Sequence, residues 1–508
     1  MKKHASALVI GAGIGGIATA GRLARNGYDV TVLEKNGKPG GRCDQLVRDG
    51  HRFDIGPTLF LMPEVFAETY AALGEEMEEH LDLRRIDPTY RVRFEDGTEL
   101  ALTANLHDMQ EQLEAIEPGS FGGLLRYLAE GNRHYKMSLR HFVGRNFYNL
   151  RQYFSLRNLP LLFKLKALVK HYDNIGNYFD DPRLKAAFTF QNMYLGLSPY
   201  DAPATYSLLQ YTELADGVWF PIGGMYRVIE TLTEIAEKNG VRFIYNAPAR
   251  EIETDGERAT AVITEDGRRF SADVIVANAD LPYVYKELLN DEAETAKLES
   301  KKYTCSAIMF YWGTDKVYPE LQHHNVFLAD AYRESFDQIF EDFTLPDDPS
   351  FYVHAPARTD PAAAPEGEDT LMVLVPVGHL DDEVEQDWQL LQARARRAVL
   401  DGLSRLVGID DLEEHTKFEV SYTPQDWQSE YNLAKGSAFG LSHNFTQVGY
   451  LRPQNKHRSL DNLYFVGSST HPGTGLPIVL LSARLTTERV LHDAGVPQAA
   501  PMLRPALA

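Results

Sequence analysis

Two cysteines in 508 residues, Cys43 and Cys305, are all that this sequence offers for thiolate or disulfide chemistry. So few, so far apart, exclude a disulfide framework and a Cys-rich metal site, and they fit a reducing compartment. Long apolar runs are missing as well. No stretch reaches the roughly 18 uninterrupted apolar residues that a membrane-spanning helix needs. Positive charge is in deficit: 51 Lys and Arg face 72 Asp and Glu, a net charge of −21. Such a surface repels nucleic acid and anionic lipid alike, so no nucleic-acid partner is expected. The adjacent pair His323-His324 has neither helical ligand spacing nor Cys neighbours. It reads as a surface loop, and no metal is expected.

The start, Met1-Lys2-Lys3 before an apolar run, superficially resembles a signal peptide. Cleavage there would destroy a glycine motif inside that run, which places the chain in the cytoplasm. Its length exceeds what one core sustains, so two or more structural units are expected. From Gly495 onward prolines alternate with alanines, and 496–508 is expected to be a flexible tail.

The strongest local signal lies at the beginning. Ser6 to Ile10 is a short apolar run fit for a buried parallel strand, followed at once by Gly11-Ala12-Gly13-Ile14-Gly15-Gly16. A helical pattern then runs through Ala18, Ala20, Leu23 and Ala24, and a second strand, Tyr28 to Leu33, ends at Glu34 and Lys35. Gly11 permits the tight turn, Gly13 lets backbone approach a pyrophosphate, and Gly16 lets helix and strand pack closely. The anion would sit on the helix N-terminus, with Glu34 at the distance of a ribose-hydroxyl ligand.

Which dinucleotide follows from the next segment. Lys38-Pro39-Gly40-Gly41-Arg42 comes directly after the second strand, and Asp54-Ile55-Gly56-Pro57-Thr58 soon after. This pairing resembles the flavin amine-oxidase and carotenoid-desaturase superfamily, in which the Gly-Gly-Arg loop lies along the cofactor. The resemblance implies FAD, with Arg42 as a bidentate cation for the diphosphate and Pro57 and Thr58 nearby.

Near the other end, Asn462 to Val466 reads as another buried strand, running into Gly467-Ser468-Ser469-Thr470-His471-Pro472-Gly473-Thr474-Gly475 and a helix from Ile478 to His492. Between the ends, Gly217 to Met225 leads into a helix (Val228 to Asn239), a strand (Val241 to Tyr245), a β-meander (Arg250 to Phe270) and a return to the parallel sheet at Asp273 to Ala277. The Thr470 to Gly475 loop, with Gly217-Val218-Trp219-Phe220-Pro221 and Ser198 to Tyr206, looks like the signature of the phytoene desaturases of bacteria and fungi. The similarity spans roughly Ala5 to Leu491. Amine oxidases typically carry an acid after the glycine of the last strand; here Ser468 follows Gly467, which favours the desaturases.

The expected fold is therefore α/β: a discontinuous Rossmann-like FAD-binding domain (1–75, 211–285 and 456–495) with an inserted α+β substrate domain (76–210 and 286–455). Residues 131–172 are expected to form a helical membrane-contact region. That segment contains no Asp or Glu, yet holds nine cations, among them Arg151, Arg157, Lys164, Lys166 and Lys170, interleaved with Phe and Leu. Cations flanking apolar turns suit an interfacial helix pair. A core helix with solvated lysines is the blander alternative.

By resemblance, the reaction is desaturation of a long polyene precursor such as phytoene at the membrane surface, with a quinone or oxygen as electron acceptor. A peripheral, cytoplasmic location follows, and oligomerisation stays open. A carotenoid ketolase, a carotene cis–trans isomerase or a non-catalytic flavin- and carotenoid-binding protein would use the same scaffold. FAD contacts are expected from Gly11, Gly13, Gly15, Gly16, Glu34, Lys35, Gly40, Gly41, Arg42, Pro57, Thr58, Gly467, Pro472, Gly473 and Gly475. Thr470 and His471 are expected to border the flavin ring, and Glu213 or Asp216 to accept a proton.

Overall fold

The computed structural model describes residues 5–496. The expectations about Met1-Lys2-Lys3 and about the tail past Val496 lie outside the described residues. A five-stranded sheet forms the floor of the molecule. Its strands are β1 (Ser6–Ile10), β2 (Asp29–Leu33), β3 (Arg242–Ile244), β4 (Val274–Ala277) and β5 (Leu463–Phe465). All neighbours pair in parallel, in the order β5-β4-β1-β2-β3.

Both faces of this sheet are covered, which is why its strands read as unbroken apolar runs. Successive side chains point to opposite faces. Ala7 and Val9 of β1 join a core with helices α1 (Ile14–Arg25), α2 (Tyr226–Lys238) and α3 (Leu476–Asp493). Leu8 and Ile10 join another core with Ile252, Ala259 and Val262 of the meander. That meander is the antiparallel three-stranded sheet 249–254, 259–264 and 269–270.

A second, seven-stranded sheet stands above the first. In spatial order its strands are 416–422, 306–314, 369–377, 351–354, 324–328, 90–94 and 99–102, antiparallel except where 324–328 meets 90–94. Helix Trp388–Val407 covers one face, packing on Ile308, Phe310 and Trp312. The alternate residues Ala307 and Met309 point the other way, into the interior. A strand at Val218–Pro221 pairs with Leu83–Ile86, tying the two layers together at one side.

Two expectations change here. His323-His324 is not a surface loop: His324 opens strand 324–328, and both rings are buried. The apolar neighbours Val326 to Leu328 carry the strand into the sheet and take the histidines with them. Residues 131–172 do not form a long helix pair either. Helix Ser120–Ser138 gives way to a π-turn at Leu139–Val143 and then to short helices at Leu150–Tyr153 and Leu159–Lys164. Asn149 caps the first short helix, Asn158 takes the carbonyls of Gln152 and Tyr153, and Pro160 starts the second, so neither propagates.

Four of that segment's apolar residues, Phe142, Phe147, Tyr153 and Leu165, build a small core, with Phe154, Leu161 and Leu162 packed against it. Three others face solvent most fully: Leu156 is 91% exposed, Phe163 75% and Leu168 68%. Among the described residues no helix is long and apolar enough to cross a membrane. Cys43 and Cys305 are buried free thiols.

Candidate functional site

One large cavity, about 820 Å³, opens between the two sheets. Its floor is assembled from both ends of the chain. Of the residues expected to hold FAD, all except Gly16 line it. Gly16 serves one layer below: a β-carbon there would lie 2.1 Å from the Gly11 carbonyl oxygen, so only glycine lets α1 start this close to β1.

Helix α1 begins at Gly13 with no side-chain cap and no acid in its first turn, and α3 begins at Gly475 in the same way. Their first N–H groups therefore have no intrahelical partner and face the cavity. Two helix dipoles add their positive ends to the same space, a cradle for an anionic diphosphate. Glu34 closes one side. Its carboxylate accepts the Ala12 N–H at 2.7 Å and the Asn36 N–H at 2.8 Å. Burial nonetheless raises its pKa above the usual carboxylate range. Arg42 bridges the two ends, donating to the Ala438 carbonyl (3.0 Å) and Ser468 Oγ (2.6 Å). These features fit an FAD molecule laid from α1 to α3.

Thr470 and His471 depart from expectation: neither lines the cavity. Thr470 Oγ1 donates to the Gly467 carbonyl at 2.9 Å, closing its own loop. The His471 ring turns outward, with Nε2 3.0 Å from the Arg145 carbonyl, and burial lowers its pKa to about 4. Both brace the loop that carries Pro472 and Gly473 to the cavity wall.

Three residues of this site left no sequence signal. Arg452 is buried beneath the loop and donates to the carbonyls of Leu441, Ser442, Gln447, Ser468 and Thr470 at 2.5 to 3.0 Å. It stands outside every recognisable motif. Asn278, just past β4, puts its side chain against Gly11 and Gly13. His443 lines the cavity; its Nε2 accepts the Thr474 N–H at 3.0 Å, and its Nδ1 is buried without a protein partner.

Above the cofactor end the wall turns apolar, with Met193, Val326, Leu328, Phe336 and Ile339 among its residues. Glu213 lies just behind this wall, on the π-turn Thr212–Asp216, whose Thr212 lines the cavity. Its carboxyl is fully buried and among the described residues no cation pairs with it, so desolvation raises its pKa to about 8. Tyr194 and Gln191 are close enough to lower that value slightly, but neither reaches hydrogen-bonding geometry. Asp216, half-buried, is raised to about 6 by burial and by Glu64.

The sequence model of the flavin containing amine oxidoreductases matches residues 14–491. The chain is 49% identical to the zeta-carotene-forming phytoene desaturase of Myxococcus xanthus, covering 96% of this chain and 95% of that protein. It is 45% identical to the phytoene desaturase of Neurospora crassa (96% and 85%). With the 4,4'-diapophytoene desaturase (4,4'-diaponeurosporene-forming) of Staphylococcus aureus strain Newman the identity is 36% (96% and 98%). Among solved structures, an oxidoreductase from Methanosarcina mazei shares the fold with a TM-score of 0.65 at 17% identity, covering 95% of this chain and all of that one. Wild-type putrescine oxidase bound to putrescine gives 0.63 at 16%, covering 97% and 99%.

Two outcomes are expected. Gly13→Val sets a β-carbon 2.9 Å from Asn278 Nδ2 and fills the space over the first turn of α1. The purified variant should be folded by circular dichroism and colourless, having lost its flavin absorbance. Arg452→Met strands five buried carbonyls and should lower stability by about 3 kcal/mol or more, read as a fall in thermal midpoint.

Proposed function

The chain belongs to the family of flavin-containing amine oxidoreductases, and from that premise we propose that it is an FAD-dependent desaturase of a phytoene-like polyene in carotenoid biosynthesis. The observation that carries this reading is 49% identity over nearly the whole chain to a phytoene desaturase. The cavity is in keeping with it, since a polar, glycine-lined end continues into an apolar wall. When bound, FAD supplies the two-electron acceptor for oxidation of a carbon–carbon single bond to a double bond.

The protein's own residues then have a limited task. α1, α3, Glu34 and Arg42 hold the cofactor against the floor. The apolar wall aligns a hydrocarbon chain and excludes water. Loss of a proton from the substrate calls for an acceptor, and Glu213 is the proposed one, behind Tyr194 and Thr212, which line the cavity. Thr470 and His471 act as positioning residues for the loop. With the one dinucleotide site taken by FAD, a quinone or oxygen is the proposed final acceptor.

A hydrocarbon substrate resides in a bilayer, and the exposed Leu156, Phe163 and Leu168 are the proposed point of contact. Arg151, Arg157 and Lys164 stand exposed around them with no carboxylate partner among the described residues. Lys166 and Lys170 are differently placed: Lys166 pairs with Glu130 at 2.5 Å and Lys170 with Asp201 at 2.7 Å. Each free cation near an anionic leaflet contributes about 1 kcal/mol.

Incubating the yellow holoprotein with phytoene in liposomes should yield products with longer conjugated chromophores; unchanged phytoene under all acceptors would refute the reading. Turnover should rise with pH through about 8 as Glu213 ionises, and Glu213→Gln should lower it by about 10²-fold with FAD retained. The same raised pKa has a stability consequence of definite sign. The folded state holds this proton more tightly than the unfolded chain, so the contribution of Glu213 to stability is fully present below the ordinary carboxylate pKa of 4.5 and is lost as pH rises to about 8. Glu213→Gln should flatten that fall in melts taken across the window. In flotation assays with anionic vesicles, Leu156→Ser/Phe163→Ser should abolish binding. Arg151→Gln/Arg157→Gln/Lys164→Gln should weaken it and remove its salt dependence, whereas Lys170→Gln should have little effect.

A further inference from the structure

Away from the cofactor floor, three histidines meet in the seven-stranded sheet. His324 and His354 sit directly opposite one another on antiparallel strands 324–328 and 351–354, and His323 immediately precedes the first. All three rings are buried, at 5%, 1% and 0% exposure for His323, His324 and His354. One nitrogen from each lies within 4.8 Å of the others. The Nε2 atoms of His323 and His354 are 3.1 Å apart.

The hydrogen bonds around them do not balance. Each outward nitrogen has a hydroxyl partner: His323 Nδ1 meets Thr359 Oγ1 at 2.7 Å, and His324 Nδ1 meets the Tyr352 hydroxyl at 2.7 Å. Inward, His324 Nε2 and His354 Nδ1 are buried with no partner among the described residues. If both Nδ1 atoms carry protons, the two facing Nε2 atoms are lone pairs. The single proton of His354 then satisfies His323 alone. With the other tautomer of His324, an N–H is orphaned in place of a lone pair. Either way a ring nitrogen is left without a partner in a dry interior, at a cost of about 1–3 kcal/mol.

We propose that His323, His324 and His354 hold one divalent transition-metal ion of the zinc class. An ion held by one nitrogen of each ring would take the Nε2 lone pairs of His323 and His324, the second of which the protein leaves unmatched, and would replace the His354 N–H that now serves His323 alone. Protonated Nδ1 atoms donating to Thr359 and Tyr352 are the outer partners that ligating imidazoles ordinarily have. An all-imidazole donor set selects zinc, copper, nickel or ferrous iron over magnesium or calcium, which want oxygen. Burial keeps the rings neutral, the form that binds metal, with His323 pushed down to about 3. Arg358, paired with Asp369 at 2.5 Å, adds its charge to burial in holding His323 neutral.

The surroundings suit a bracing ion. Phe220 lies edge-on to His323 and His354, with centroids 4.7 and 5.8 Å away, and Tyr90 covers His324 at 5.4 Å. From His324 the chain of contacts runs through the Tyr352 hydroxyl to Thr58 Oγ1 at 2.9 Å. Tyr352 and Thr58 both line the cavity. The ion thus ties the seven-stranded sheet to the loop after Gly56, without requiring any particular substrate.

The test uses untagged wild-type holoprotein, desalted and analysed for metal against flavin. A metal-to-FAD ratio near one is expected, and the chelator-treated protein should take up Co²⁺ with new ligand-field bands that Zn²⁺ abolishes. His354→Gln should lose both signals with flavin retained. Thr359→Val, which removes only an outer partner, should weaken Co²⁺ binding about 10–100-fold and covers the case in which the first variant fails to fold. A wild-type ratio below about a tenth, with no Co²⁺ bands in the treated protein, would overturn the proposal and leave a water-filled histidine cluster.

Discussion

Two long helices, α1 and α3, begin with uncapped backbone N–H groups over the same cavity, and the rest of the molecule is arranged to make that tolerable. Buried donors without acceptors are costly, so a protein that aims two helix starts at one interior space is built around an anion. Parallel pairing of β5 with β4, and of β4 with β1, brings the two starts together although 450 or more residues of chain separate them. Gly16 permits one approach and Arg452, holding five carbonyls, fixes the other. Neither device touches the cavity, yet without them its floor does not close.

Beyond the floor the governing quantity is the scarcity of water. The inner face of the seven-stranded sheet and the helices opposite it present hydrocarbon, which suits a polyene and raises the stakes for any polar group left nearby. Glu213 sits in that setting. Its raised pKa is the direct consequence of burial without a cation, and the same burial puts its protonation change close to neutral pH. His323, His324 and His354 are the same physics with the opposite sign of charge: rings kept neutral by burial, with lone pairs turned on one another.

The acid-free segment shows how composition and structure divide the work. Nine cations without an acid mark residues 131–172 as unusual in a chain of net charge −21. Composition cannot say which cations are free. Lys166 and Lys170 are paired by Glu130 and Asp201, acids just outside the segment and beyond it, leaving Lys164 and two arginines around the exposed leucines. Cations flanking apolar turns suggest a helix pair, but Asn149, Asn158 and Pro160 cut the segment into short turns.

What the sequence determined by itself was local and rule-bound. The strand, the glycine turn, the helix and Glu34 are contiguous, and Gly16 answers a steric demand five residues away at Gly11, so the dinucleotide floor could be read directly. Family resemblance added the Thr470 to Gly475 loop, although Thr470 and His471 turn out to support it from behind. Only the tertiary structure decided the burial of Glu213, the clamp at Arg452, the place of His443 and the meeting of three histidines. Those depend on strand order and register, which join residues with no shared period, and on water being kept out of one place and not another. A single residue carries no trace of that until the chain is folded around it.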